Sequence, residues 1–198
     1  MLRAFFSEGK ITECGCDEAG RGCLAGPVVA AAVILPQDFR CEELNDSKKL
    51  SDKQRRLLRP IIEKEAAAYA VAFVDNETID RINILNASFL AMNNAVKELK
   101  ITPELLLIDG NRFRNETDIP FECIVKGDAK FMNIAAASIL AKTYRDDFML
   151  EAHEKHPRYH WNKNMGYPTK QHREAIRQFG LTPLHRRSYN LLGQLSLF

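Results

Sequence analysis

The chain has 198 residues and a formal net charge of +2; 45% of its residues are hydrophobic and 27% are charged. This length suffices for one domain with a sizeable core, and the composition is typical of soluble globular proteins. No stretch approaches the roughly 18 apolar residues of a membrane span, and residues 1–10 hold no long apolar run, so we expect neither a membrane protein nor a secretory signal.

The hydrophobic pattern predicts five strands and four helices. The predicted strands, in chain order, span residues 11–16, 27–35, 69–74, 105–108 and 121–125. The predicted helices span residues 51–68, 83–100, 134–154 and 169–179. Ser51 and Gln54 resemble a capping box at the start of the first helix, whereas Pro60 is expected to kink or interrupt that helix. This order of elements predicts an α/β domain with a mixed sheet of five strands.

Acidic residues beside glycine follow three of the predicted strands. Asp17 and Glu18 follow the first strand, Asp109 follows the fourth and Asp128 follows the fifth. Carboxylates gathered in one place raise one another's pKa unless a cation lies between them, and oxygen-only ligands favour Mg²⁺ or Mn²⁺. Two such ions, roughly 3.5–4 Å apart, can bind a phosphodiester from both sides. The alternative is that each acid caps a helix, forms a turn or pairs with a nearby Lys or Arg.

The C-terminal part of the chain is basic. Residues 155–190 contain eight Lys or Arg and one acid, a net charge of 8 − 1 = +7, so the remainder of the chain is acidic. Tyr159, Trp161 and Tyr167 are interleaved with these charges, which is typical of nucleic-acid binding. His172 and His185 are expected on the same basic surface. A solvated basic face and packed aromatic side chains are the alternatives.

The five cysteines are odd in number and include no C-x-x-C pair, which argues against a zinc or redox site. Cys14 and Cys16 fall on one side of the first predicted strand, so we expect both thiols to be buried. Reduced cysteines indicate a cytoplasmic protein.

Five segments resemble bacterial ribonuclease HII, and together they extend from about residue 13 to about residue 188. In chain order they are CDEAGRGCLAGPVVAAAVIL, NDSKKLS, LLLIDGN, KGDAKFMNIAAASILAKTYRD and MGYPTKQH. The resemblance implies a ribonuclease H-like mixed five-stranded sheet flanked by helices, with a small helical C-terminal extension. It further implies an endonuclease that cuts the RNA strand of RNA–DNA hybrids and incises at single ribonucleotides in duplex DNA. The products would be a 3′-hydroxyl and a 5′-phosphate.

The resemblance also implies a domain division and a role for each motif residue. The catalytic domain would span residues 1–155, and the basic segment 156–193 would complete the substrate site. The implied catalytic and metal-binding acids, which would hold Mg²⁺ or Mn²⁺, are Asp17, Glu18, Asp109 and Asp128. The implied substrate contacts are Gly20, Arg21 and Gly22, which would sense the ribose 2′-hydroxyl, Tyr167, which would read the RNA–DNA junction, and the phosphate contacts Lys48, Ser138 and Lys142.

Two of these assignments have a plain structural alternative. Arg21 is equally well placed to form a salt bridge with a neighbouring acid. Ser138 and Lys142 lie four residues apart and therefore share one helix face, where they could meet a phosphate or could simply form a polar helix surface.

The C-terminal residues 194–198 read QLSLF and form a separate signal. This pentapeptide resembles the motif with which bacterial replication and repair proteins bind the DNA sliding clamp. Gln194 would make polar contacts, while Leu195, Leu197 and Phe198 would contribute the apolar part of the motif. The alternative is that these apolar side chains fold back onto the protein body.

Three functions therefore compete on the sequence alone. The first is a metal-dependent, ribonucleotide-specific endonuclease that needs no more than a monomer. The second is a non-catalytic nucleic-acid or clamp-bound adaptor, against which the clustered acids count because they would repel a phosphate backbone. The third is a related two-metal nuclease such as a junction resolvase or integrase, against which DEAGRG and Tyr167 count.

Overall fold

The computed structural model describes residues 2–7 and 11–193. Its strands are β1 Glu13–Ala19, β2 Val28–Ile34, β3 Ala68–Val74, β4 Leu105–Asp109 and β5 Phe121–Ile124. Its α-helices are α1 Asp52–Glu65, α2 Asn76–Ile82, α3 Ile84–Lys97, α4 Met132–Lys155, α5 Trp161–Asn164 and α6 Lys170–Phe179. The strands form one sheet in the order β3-β2-β1-β4-β5. The pairs β3–β2 and β2–β1 are antiparallel, whereas β1–β4 and β4–β5 are parallel, which confirms the predicted mixed five-stranded sheet.

Small side chains allow helices to cover both faces of the central strands. All seven residues of β2 are buried, and three of them are consecutive alanines. On β1, a Cβ added to Gly15 would lie 2.2 Å from the main-chain carbon of Asn133, so glycine is required where the start of α4 crosses the strand. This close crossing places α4 beside the end of β1, where two of the predicted acids lie.

Helix α1 begins as predicted but does not end at its proline. The Ser51 hydroxyl accepts a hydrogen bond from the main-chain N–H of Gln54 at 3.3 Å, and the Gln54 side chain accepts one from the N–H of Ser51, which confirms the capping box. The expected interruption at Pro60 is wrong, because the helix continues through it to Glu65. Pro60 lies on the exposed face, so solvent can satisfy the carbonyl that has no N–H partner there.

The segment after α4 forms an apolar cluster of its own with α4 and the β1–β2 loop. The expectation that His172 and His185 lie on a basic surface is wrong, because they are 0% and 1% exposed. Tyr159 and Trp161 are also buried, so of the three aromatic residues predicted to face nucleic acid only Tyr167 is exposed. The two histidines and two aromatic rings pack against one another and therefore form the core of this segment.

Cys14 and Cys16 are both fully buried, as predicted from the strand alternation, and all five cysteines are free thiols. Within the described ranges, the helices are too short or too polar to cross a lipid bilayer.

Candidate active site

Parallel strand pairing brings three of the predicted acids together. Cys16 of β1 lies opposite Ile108 of β4, so the residues that follow each of them lie at the same edge of the sheet. These residues are Asp17 and Glu18 on β1 and Asp109 on β4. Strand β1 does not end before its two acids but continues to Ala19.

The chain turns immediately after β1, at Gly20, whose φ of +97° favours glycine. This turn allows side chains from both faces of the strand to approach one site. The fourth acid, Asp128, lies in a 3₁₀ turn after β5, and the neighbouring N–H of Gly127 donates a hydrogen bond to the Asp109 carboxylate at 2.7 Å.

A cleft of about 370 Å³ opens at this edge of the sheet. The residues that line it are Asp17, Glu18, Ala19, Gly20, Arg21, Gly22, Ser47, Lys48, Arg55, Asp109, Ser138, Lys142 and Tyr167. The cleft thus collects three of the four predicted acids and all seven predicted substrate contacts. The fourth acid, Asp128, is connected to it through Lys48, whose Nζ lies 2.6 Å from the Asp128 Oδ2.

Burial and mutual repulsion raise the pKa values of the clustered acids. Burial is the largest cause for Asp17, whose pKa lies well above its usual range, and the charges of Glu18 and Asp109 raise it further. Burial likewise raises the pKa values of Glu18 and Asp109. A group of carboxylates in this state is stabilised by any cation that enters the cleft.

Protein cations hold several of the polar groups in the described structure. Arg21 Nη1 lies 3.0 Å from Glu18 Oε1, so the salt bridge considered for Arg21 is present. Lys142 pairs with Asp146, one turn further along α4, and the Ser138 hydroxyl lies 2.7 Å from that of Ser47.

The acids do not form a closed metal cage. Over residues 2–7 and 11–193, no group of three or more His, Cys, Asp or Glu side chains is arranged to hold a metal ion. The assignment of the four acids as metal ligands therefore stays a prediction.

Three residues that line the cleft, Ala19, Ser47 and Arg55, were not predicted from the sequence. Ser47 lies within the quoted NDSKKLS segment, so the motif contained a signal for it. Arg55 lies in the first turns of α1 and donates to the carbonyl oxygens of Ser47 and Leu50, which fixes the loop that carries Lys48. Nothing in the local sequence distinguishes Arg55 from the surface arginines near it.

Tyr167 reaches the cleft from a tight turn before α6. Met165 and Gly166 both have positive φ angles, and the N–H of Tyr167 donates to the carbonyl of Asn164 at 2.8 Å. The ring is 39% exposed and lies with its centre 6.0 Å from the Arg145 guanidinium carbon. Burial raises the pKa of the Tyr167 hydroxyl, which also interacts with the thiol of Cys23.

Comparison with known proteins agrees with this geometry. Residues 14–192 match the family model described as Ribonuclease HII. Ribonuclease HII of Bacteroides thetaiotaomicron is 64% identical over 199 residues, which covers 100% of this chain and 99% of the relative.

Two solved structures share the fold. The RNase HII in the PCNA:RNase HII complex from Archaeoglobus fulgidus aligns with a TM-score of 0.78 at 27% identity, covering 94% of this chain and 98% of that one. Bst-RNase HIII in complex with Mn²⁺ aligns with a TM-score of 0.76 at 22% identity, covering 93% of this chain and 68% of that one. On the family model, the relative and the fold together, the chain belongs to the ribonuclease HII family, whose members cleave the RNA of RNA–DNA hybrids and incise at single ribonucleotides.

Proposed function

We propose that the cleft at the ends of β1 and β4 is where this chain hydrolyses the phosphodiester at a ribonucleotide. The observation that carries the proposal is the convergence of one buried and two partly buried carboxylates, a glycine-rich turn and an exposed tyrosine on one cleft of about 370 Å³. In this assignment the basic segment 156–193 completes the substrate site that the body of residues 1–155 begins.

The donor set fits a hard divalent cation. Asp17, Glu18, Asp109 and Asp128 offer only oxygen ligands, which suit Mg²⁺ or Mn²⁺, and the raised pKa values of three of these carboxyls reflect an excess of buried negative charge. When bound, a divalent cation supplies Lewis-acid stabilisation of the phosphodiester charge and acidifies the attacking water. Two ions bound with substrate are our assignment.

The remaining residues would bind and orient the substrate. Gly22 is exposed with open space at its Cα, so its main chain is accessible to a ribose, whose 2′-hydroxyl is the group that marks a ribonucleotide within DNA. Tyr167 offers an exposed ring for stacking on the sugar at the junction. Lys48 is 74% exposed at its side chain and can leave Asp128 for a phosphate when cations enter the cleft.

Cleavage of an end-labelled DNA duplex that contains one ribonucleotide tests this proposal. The protein is incubated with Mg²⁺ or Mn²⁺ beside its Asp109→Asn variant, whose amide oxygen can still accept from the Gly127 N–H. We expect a cut on the 5′ side of the ribonucleotide and a loss on the order of 10²-fold or more in the variant. Equal cutting of an all-DNA duplex, or full activity of the folded variant, would contradict the assignment.

The tail QLSLF suggests a second partner. Residues 194–198 lie outside the described residues, so the roles predicted for Gln194, Leu195, Leu197 and Phe198 stay a proposal. The A. fulgidus relative has been solved with PCNA, which supports a sliding clamp as the partner. A synthetic GQLSLF peptide should bind the clamp, and deletion of residues 194–198 should abolish clamp binding while nuclease activity remains. Unchanged binding after the deletion would refute the tail as the clamp contact.

A further inference from the structure

Two arginines are buried beside the cleft. Arg145 on α4 is 1% exposed and Arg186 is 0% exposed. In the described part of the chain, neither forms an ion pair with an acidic side chain. Burying an unpaired charge is unfavourable unless hydrogen bonds compensate it. The acceptors of these hydrogen bonds therefore show which parts of the structure the two arginines hold together.

Arg186 binds the main chain of the loop between β1 and β2. Its Nη1 donates to the carbonyl of Arg21, its Nε to that of Gly26 and its Nη2 to that of Pro27, each at 3.0 Å. The hydroxyl of Tyr189 donates to the same Arg21 carbonyl at 2.8 Å. Arg21 is the central residue of Gly20-Arg21-Gly22, which we call the ribose loop.

Arg145 connects this loop region to the turn that carries Tyr167. Its Nε donates to the carbonyl of Pro27 at 3.0 Å and its Nη2 to that of Ala25 at 3.1 Å. Its Nη1 donates to the carbonyl of Met165 at 2.9 Å, two residues before Tyr167.

The ribose loop also lies directly against Arg145. A Cβ added to Gly20 would lie 2.0 Å from the Arg145 Nε, so the loop packs onto this side chain as well as onto Arg186. The guanidinium is a rigid planar group with five donors, and a lysine ammonium could not reach three carbonyls in this arrangement.

We infer that Arg145 and Arg186 are positioning residues that hold the ribose loop and Tyr167 at a fixed separation, and that recognition of a single embedded ribonucleotide depends on this separation. The inference rests on the proposed function of the cleft. An embedded ribonucleotide offers one 2′-hydroxyl and one junction, which the loop and Tyr167 must contact together. An RNA–DNA hybrid offers a 2′-hydroxyl at every nucleotide of the cut strand, so it tolerates a displaced loop better.

The test compares kcat/KM on a duplex with one ribonucleotide against kcat/KM on a uniform RNA–DNA hybrid. Tyr189→Phe removes one hydroxyl that contacts the ribose loop, and Arg186→Lys removes the planar fork. We expect the single-ribonucleotide to hybrid ratio to fall about threefold in Tyr189→Phe and roughly tenfold or more in Arg186→Lys. Tyr69→Phe, which removes a hydroxyl from the far end of β3, should leave the ratio unchanged.

Two further variants separate positioning from simple stability. Leu58→Ala, in the buried face of α1, lowers stability without touching the loop and should not change the ratio. Combining Tyr189→Phe with Tyr167→Ala should change the ratio no more than Tyr167→Ala alone, since both act on the same recognition step.

Each outcome of this test decides one question. Equal losses on both substrates in Tyr189→Phe and Arg186→Lys would overturn the inference, as would effects that multiply in the double variant. If Arg186→Lys does not fold, the Tyr189→Phe ratio decides. Absence of cleavage of either substrate by the unmodified protein would instead refute the proposed function.

Discussion

At the residue scale, Asp17 is an acidic side chain in a buried position that disfavours its negative charge. It is 4% exposed, and Glu18 and Asp109 add their charges to the cost of burying its carboxylate. Because its pKa is raised in the folded protein, the folded state holds a proton that the unfolded chain has already released as the pH rises above the ordinary carboxyl range. Stability from this group is therefore present at low pH and lost as the pH rises through the raised pKa.

We therefore expect Asp17→Asn to stabilise the metal-free protein while removing activity. Asparagine keeps an oxygen that can accept from the Glu18 N–H but carries no charge. The free energy of unfolding at neutral pH should rise, because the cost of burying the charge is removed, and cleavage should fall on the order of 10²-fold or more. Urea unfolding without divalent ions measures the first quantity and the duplex assay measures the second.

Metal binding provides the control for this prediction. Mg²⁺ should stabilise the unmodified protein, because a ligand of the folded state shifts the unfolding equilibrium, and should stabilise Asp17→Asn less. A variant that is less stable than the unmodified protein without metal would show that Asp17 supports the fold rather than opposing it.

At the element scale, the C-terminal segment is attached through two buried histidines. His172 Nδ1 donates to the carbonyl of Tyr167 at 2.9 Å, so its Nε2 is free to accept from the Trp161 indole at 3.0 Å. His185 Nδ1 accepts from the Thr182 N–H at 2.9 Å, and its Nε2 lies 3.3 Å from that of His172. These contacts suit two neutral rings and connect α6 to the turn that carries Tyr167.

The histidines make stability depend on pH in the direction opposite to Asp17. Burial, with the charges of His172 and His156, lowers the pKa of His185 to about 4. Between about pH 6.5 and about pH 4, His185 binds a proton in the unfolded chain but not in the folded protein. The free energy of unfolding therefore decreases as the pH falls through this range. When the pH falls from about 7 to about 5, the titration of His185 should lower the free energy of unfolding by about 2 kcal/mol.

A matched pair of variants checks this contribution. His185→Asn keeps an acceptor near the Nδ1 position but cannot titrate, so its unfolding free energy should change less between the two pH values. His160→Asn, at a left-handed position that suits asparagine, should retain the full pH dependence. The same slope in both variants and the unmodified protein would exclude His185 as its source.

The elements also show which parts of the fold can be predicted from local sequence. The five strands, α4 and the capping box of α1 followed from periodicity and short motifs, which depend on neighbouring residues. Helix α2, only seven residues long, was missed because so short a helix has no detectable period. Its N-cap Asp75, which accepts from the Thr78 N–H at 2.7 Å, was the available signal.

At the scale of the whole molecule, the acidic residues that lie together in the cleft could be predicted from the sequence, but the polar residues that are buried could not. Asp17 and Asp109 could be placed together because strand ends share an edge of the sheet. Arg145 and Arg186 could not be recognised as buried, since their partners include main-chain atoms brought from distant parts of the chain. A polar residue is buried when the fold supplies its hydrogen bonds, which local sequence does not encode.

The charge asymmetry of the molecule gives a final prediction about substrate binding. Lys163 and Lys170 are exposed on either side of Tyr167, in the basic segment, and nucleic-acid binding releases counterions from each phosphate that such a lysine neutralises. The double variant Lys163→Gln with Lys170→Gln should raise KM severalfold and leave kcat unchanged. It should also reduce the slope of log(kcat/KM) against log[salt] by about 1 for each phosphate that the variant no longer neutralises. Lys64→Gln is the control, because Lys64 lies nine residues beyond the cleft residue Arg55 on α1, about 14 Å along the helix axis. A salt slope that falls equally in the control and in the double variant would show that net charge, rather than the basic segment, attracts the substrate.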